Sequence, residues 1–308
     1  MLPRRFVFSF RRILSFAPVL PLKTCFIINL HAGGAARIGP AVQAFAQQHS
    51  AKVTFTARAG HAGELATQAV ADGYALIVAV GGDGTMNEIA SSLVGTDAIL
   101  GLVPCGSGDG LGRHLGIHGS PAHALALLRS GRPRAIDSGL ANGRPFFNVA
   151  GLGFEAEIAR RFNQLKRRGF LRYLATSATA FRQWQPSEFT LSYGDQTERV
   201  RAFTLAVANS DQYGNHALIA PGARSDDGEL NLCAVPPVTW WNALPLVARL
   251  FTGRLADAPC MVLRQAASFT VTRPSPGPLH TDGEVHGAGT TIEFVVRPGS
   301  LRVMCPNF

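Results

Sequence analysis

The sequence predicts an α/β domain with a parallel sheet, followed by a mostly antiparallel β-sandwich domain. Three observations predict it. The 308 residues exceed the usual size of one hydrophobic core. From Thr24 onward short apolar runs alternate with helical periods, which is the order of a helix-covered parallel sheet. After Arg132 the pattern changes to recurring β-branched and aromatic runs punctuated by hairpin signals. The expected division is residues 1–22 as a basic amphipathic extension, 23–138 as the first domain and 139–308 as the second, with a return of the last strand to the first domain left open.

In the extension, Arg4, Arg5, Arg11 and Arg12 interleave with apolar residues and no acid occurs. A membrane-surface anchor, a targeting segment and a frayed extension all fit such a stretch. The frayed extension is preferred, because arginines interrupt the apolar run and no small-x-small cleavage site follows. Strands are then expected at 25–28, 53–56, 75–80 and 99–103, with helices at about 35–49 and 64–72. A further helix begins at Ser120-Pro121, an N-cap followed by proline at the first helical position, and stops near Gly131. In the second domain Asn142-Gly143 and Gly194-Asp195 signal hairpins, runs at 188–193, 201–208, 268–272 and 291–296 read as strands, and 155–184 reads as helical.

Composition narrows the class. With 46% hydrophobic and 16% charged residues the chain is ordinary globular protein, and no run of eighteen apolar residues argues for a membrane span. Five cysteines without a C-x-x-C pair signal neither a disulfide framework nor structural zinc, which suits a reducing cytoplasm. A formal net charge of +9 points to anionic partners.

The sharpest motif is Gly81-Gly82-Asp83-Gly84-Thr85-Met86-Asn87-Glu88, between an apolar strand and a helical run. Glycines let backbone approach phosphate oxygens, and the helix start offers unpaired N–H groups and a positive dipole end. Asp83 inside such a turn suggests a bridging Mg²⁺ or a role toward an attacking hydroxyl. The turn is not a Walker A loop, since no G-K-[S/T] follows, nor a Rossmann fingerprint. A second turn, from Pro104 to Arg113, follows the next strand; its Ser107 hydroxyl can donate to a phosphate and Arg113 is a candidate charge clamp. A plain turn or loop explains either motif alone but not the pair. Asp282 and Glu284 flank Gly283, so a turn there lets both carboxylates converge on one site, although Asp-Gly is also an ordinary hairpin signal.

Taken in order, these motifs resemble the catalytic domain shared by bacterial diacylglycerol kinases, sphingosine kinases and ceramide kinases. Thr56 with Gly60-His61-Ala62, Gly151-Leu152-Gly153-Phe154-Glu155-Ala156, Ala220-Pro221 with Asp226-Asp227-Gly228, and Asp282-Gly283-Glu284 extend the resemblance from Cys25 to about Val303. It implies an NAD kinase/diacylglycerol kinase-like fold and an ATP- and Mg²⁺-dependent kinase acting on a primary hydroxyl of a membrane lipid, diacylglycerol or sphingoid-like. It also implies that Asn29, Gly33, Thr56, Gly81, Gly82, Asp83, Gly84, Thr85, Asn87 and Ser107 contact nucleotide. Glu284 would take the hydroxyl proton, or Asp83 as in sphingosine-type relatives. Glu155 and Asp282 would meet the substrate, and Asp227 with the backbone carbonyls of Arg224 and Glu229 would hold a metal. The protein is then expected at the inner face of the cytoplasmic membrane, on an anionic bilayer, without nucleic acid and with a homodimer left open.

Departures from the family pattern are specific. Asn29-Leu30-His31-Ala32-Gly33 lacks the proline and serine of N-P-x-S-G, Asp109 stands where asparagine is usual, and Glu155 replaces the shorter aspartate. An NAD-kinase-like small-molecule kinase and a non-catalytic lipid-binding relative are the alternatives. Two stretches bear on the membrane. Arg160, Arg161, Lys166, Arg167, Arg168 and Arg172 form a basic helical stretch, which is also what a solvated face looks like. Trp240-Trp241, Leu244, Leu246, Val247, Leu250 and Phe251 read as an interfacial helix or, as is commoner for such runs, as core.

Overall fold

The computed structural model describes residues 22–106, 108–163, 170–259 and 261–307, without the side chains of 162–163 and 170–176. Ser107, nearly all of the 1–22 extension, and Lys166, Arg167 and Arg168 of the basic stretch lie outside the described residues.

The chain opens as β1 (Thr24–Ile28), α1 (Ala35–Gln48), β2 (Lys52–Phe55), α2 (His61–Ala71), β3 (Leu76–Gly81), α3 (Asp83–Leu93) and β4 (Ile99–Pro104). These strands pair in parallel in the order β2-β1-β3-β4. Every residue of β1 and β3 is buried, because helices cover both faces and an apolar run without alternation suits a strand with no wet side. α2 and α3 bury Ala66, Ile89 and Leu93 on one face. On the other, α1 contributes Val42 and Ala46. The short α4 (Gly110–His114) precedes α5 (Pro121–Ser130), which starts as its sequence predicts, with the Ser120 hydroxyl accepting the His123 N–H.

The remainder runs β5 (Arg132–Ala141), β6 (Arg144–Phe146), β7 (Val149–Gly153), α6 (Phe154–Asn163), α7 (Phe170–Gln183), β8 (Ser187–Tyr193), β9 (Gln196–Ala202), β10 (Thr204–Ala208), β11 (Leu230–Val235), α8 (Trp240–Thr252), β12 (Val262–Ala266), β13 (Ser268–Thr272), β14 (Gly277–Thr281), β15 (Glu284–Ala288) and β16 (Thr291–Cys305). β16 pairs in parallel with β4 through Arg302 and Val303, and antiparallel with β5 and β13. The first sheet thus continues from parallel strands into antiparallel ones. A second, wholly antiparallel sheet, β12-β11-β10-β7-β14-β15, stacks on that antiparallel part. Phe189, Phe269 and Phe294 from one sheet meet Leu152, Leu205 and Leu232 from the other.

Two expectations change. The run 201–208 is not one strand: β9 and β10 lie in different sheets, and Phe203 between them breaks the alternation as the chain crosses the sandwich. The run beginning at Trp240 is not core, since α8 buries none of its residues.

Candidate active site

A cleft of about 310 Å³ opens at the carboxyl ends of β2, β1 and β3, where neighbouring connections leave the sheet in opposite directions. Asn29 and His31 after β1, Thr56 after β2, and Gly82, Gly84 and Thr85 after β3 line it. Asn29 Nδ2 donates to Thr85 Oγ1 at 2.9 Å, while its Oδ1 accepts the His31 N–H at 3.0 Å, so one amide ties the first loop to the glycine turn. Glu88 closes the far wall. Its carboxylate accepts the Gly60 and Ala62 N–H groups at 2.9 and 3.1 Å, capping the start of α2.

Other predicted contacts support the cleft from behind. Gly33, at φ 31°, lets the first loop press on the second: a Cβ there would lie 2.5 Å from the Cys105 carbonyl oxygen. Gly81 ends β3 beneath Thr85. Asp83 points away from the cleft toward the second loop, where it accepts the Asp109 N–H at 3.0 Å and the Gly110 N–H at 2.8 Å. Asp109 occupies the left-handed region, φ 47°, a conformation asparagine and aspartate tolerate best among residues with a side chain. Its Oδ1 accepts the Gly106 N–H, and burial, then the nearby Asp83 carboxylate, push its pKa up to about 6. Arg113 is engaged within the loop, donating from Nε to the Gly108 carbonyl at 2.9 Å and lying 3.0 Å from His216 Nε2.

The hairpin joining β14 to β15 brings the second sheet against this assembly. Asp282, also left-handed at φ 47°, turns its carboxylate inward. Oδ1 accepts the Asn148 and Val149 N–H groups at 2.9 Å, and Oδ2 accepts the Phe147 N–H at 2.7 Å and Asn87 Nδ2 at 2.8 Å. All four donors are thereby spent on the fold, and Asn87 is held toward the hairpin rather than the cleft. Glu284, two residues on, has its side chain exposed and without a hydrogen-bond partner among the described residues. Burial of its surroundings, then the Glu88 and Asp282 carboxylates, push its pKa above the ordinary value, with Arg144 opposing. A solvent-facing carboxylate close to the cleft wall is placed as a proton acceptor is.

Residues 23–141 match the diacylglycerol kinase catalytic domain, and 148–305 match the YegS C-terminal NAD kinase β-sandwich-like domain. A "Probable lipid kinase YegS-like" protein of Pseudomonas aeruginosa is 33% identical over 252 residues, covering 80% of this chain and 82% of its own length. The chain belongs to the YegS-like lipid kinase family. A Pseudomonas fluorescens member is 32% identical over 266 residues, covering 83% and 86%. A solved diacylglycerol kinase of Bacillus anthracis str. Sterne superimposes with a TM-score of 0.71 over 92% of this chain and 97% of that one, at 18% identity. A second solved protein of that organism reaches 0.76 over 92% and 95%, at 20% identity. At these identities the likeness speaks for the fold.

In this lipid kinase the Glu155 carboxylate starts α6 beneath the second sheet. It hydrogen-bonds the Tyr213 hydroxyl through Oε2, and its buried Oε1 lies 3.4 Å from His280 Nε2 with no hydrogen bond of its own among the described residues. Neither Tyr213 nor His280 carries a signal in the sequence, because the pairing exists only across the sandwich. The turn at 224–229 is separate from the cleft. Asp226 pairs with Arg134 at 2.5 Å and Arg224 at 3.1 Å. Asp227 accepts the Glu229 N–H and Gln265 Nε2, both at 3.1 Å. Carboxylate and carbonyl oxygens are suitable Mg²⁺ ligands, yet both oxygens of Asp227 already have donors. Sequence reasoning missed Glu88 as a wall of the cleft, although it lies inside the quoted motif.

Proposed function

We propose that the chain transfers the γ-phosphate of MgATP to a primary hydroxyl of a membrane lipid, diacylglycerol or sphingoid-like, at the cytoplasmic face of a membrane. The observation that carries this reading is the pairing of a glycine-walled cleft with an unpartnered carboxylate, Glu284, close enough to Glu88 for the two charges to interact. Backbone N–H groups at the start of α3, with Thr85 and Asn29, suit the phosphates, and Mg²⁺ enters with the nucleotide. The lipid hydroxyl gives its proton to Glu284 as its oxygen bonds to the γ-phosphorus and the bond to the departing ADP oxygen breaks. Asp83 acts through the second loop: by holding the Asp109 and Gly110 N–H groups it sets the wall opposite the first loop. Glu155, with a buried oxygen in search of a donor, suits a hydroxyl of the lipid head group.

The test is incubation with labelled ATP, Mg²⁺ and a panel of lipids in detergent micelles, with identification of the product. A phosphorylated lipid formed only with Mg²⁺ is expected. Nucleotide binding without turnover across the panel would sink the reading in favour of a non-catalytic relative, and phosphorylation of NAD would favour the small-molecule kinase.

A further inference from the structure

α8 is an apolar helix set on the outside of the protein. Its inner face, Leu246 and Leu250, packs on the cluster of Val149, Ala206 and Cys233 behind the second sheet, and the Leu250 carbonyl accepts the Leu218 N–H at 2.9 Å. Its outer face is also apolar: Trp241 is 92% exposed, Leu244 76%, and Phe251 51%. The spacing 240, 244, 247, 251 puts Trp240, Leu244, Val247 and Phe251 on one helical stripe. No acid occurs between Trp240 and Thr252, and Arg249 and Arg254 stand at the C-terminal end.

We propose that this face lies in the interfacial plane of an anionic bilayer and carries the protein to its substrate, an inference that rests on the lipid-kinase reading above. Thirteen residues rise about 20 Å, too short to cross a hydrocarbon core of about 30 Å but ample to lie along it. Paired tryptophans at one end and arginines at the other suit the headgroup layer, where amphipathic rings and cations both settle. The chain's charge of +9 supplies long-range attraction to an anionic surface and opposes association with a second copy of itself. The helix is also joined to the chemistry. The Trp240 ring lies 4.6 Å from that of Phe181, Phe181 lies 5.6 Å from Phe203, and Phe203 lies 4.4 Å from Phe154, the residue before Glu155. An unbroken aromatic ladder therefore runs from the exposed face to the carboxylate expected to meet the lipid head group.

The experiment uses the full chain and its Leu244→Glu/Phe251→Glu variant, both positions being exposed so that folding is spared. Flotation is measured on phosphatidylcholine vesicles with and without phosphatidylglycerol. Trp184, Trp240 and Trp241 are the only tryptophans, and Trp184 is half-buried and fixed by a hydrogen bond to the Phe203 carbonyl, so a shift of emission to shorter wavelength reports chiefly on α8. Wild type should float on phosphatidylglycerol vesicles with that shift, and the variant should partition more than about tenfold more weakly, with unchanged thermal unfolding. Wild type failing to float, or the variant floating equally, overturns the proposal. A soluble dimer split by the variant, with no flotation, assigns the face to a second copy instead. Turnover of a short-chain diacylglycerol dispersed as monomers separates the two readings. Turnover without flotation sinks the docking face alone, whereas flotation without turnover of any lipid sinks the kinase reading alone.

Discussion

Asp282→Asn replaces a buried carboxylate by an amide of the same shape at a backbone position, φ 47°, that asparagine also accepts. The substitution therefore isolates the carboxylate from the turn. Each oxygen serves two donors, Asn148 and Val149 on Oδ1, Phe147 and Asn87 on Oδ2. Whichever way the amide settles, its NH₂ group confronts two N–H donors and no rotation rescues both. With the NH₂ toward Phe147 and Asn87, the Asn87 amide can turn its own oxygen to meet it, so one donor, the Phe147 N–H, stays unpaired, and a buried unpaired donor costs about 1–3 kcal/mol. That is a large share of the 5–15 kcal/mol typical of whole proteins. Urea unfolding followed by far-ultraviolet circular dichroism measures it. A loss below about 1 kcal/mol would refute the claim that this carboxylate pins the hairpin to the 147–149 backbone and to Asn87.

Three further outcomes are expected. Glu284→Gln should lower kcat by about 10² to 10⁴ with little change in ATP affinity, and the wild-type rate should climb with pH through the raised Glu284 pKa, because only the ionised form accepts a proton; a normal kcat would show that Glu284 is not the base. Asp109 loses its proton near pH 6, above its unfolded value, so any stability it lends is complete in acid and lost as pH rises through about 6. ATP titrations on either side of that pH should show affinity falling as the second charge appears beside the phosphates, and Asp109→Asn should flatten the trend; a flat wild-type profile contradicts it. Gly33→Ala should raise the Kd for ATP and lower Tm together, since the new methyl meets the Cys105 carbonyl at 2.5 Å and φ is positive; unchanged values in both assays would show that the two loops part freely.

The parallel half was legible because β1, β3 and β4 are buried on both faces, which writes an unbroken apolar run into the sequence. The second half was harder to read, because an alternating strand, β9, runs straight into one buried along its whole length, β10, and only that change of pattern marks the join. That signal cannot say which sheet a strand joins, which is why β9 and β10 merged. Among site residues, the loops were visible as glycines, but the aim of each acid was not. Asp83 and Asp282 sit in motifs that suggest chemistry and spend their oxygens on backbone N–H groups, a choice made by atoms 26 and more than 130 residues away. α8 misled for a related reason: an apolar helix looks the same in sequence whether protein or something else covers its outer face.

β16 has a consequence for the order of events at the ribosome. Of the described strands it is made last, yet it covers the edge of β4 and is the only long partner of β5 among the described residues. Until it emerges, a nascent chain that already holds every residue of the nucleotide cleft carries a bare parallel edge, a ready template for pairing with another chain. About 160 residues separate β5 from the far end of β16, and at roughly 5–20 residues per second that is a wait of about 8–30 seconds. The first sheet is thus completed only once β16 has emerged. Stalled chains ending near residue 150 should be cut readily by protease within the first sheet; protection at that length would mean the early strands close without their last neighbour.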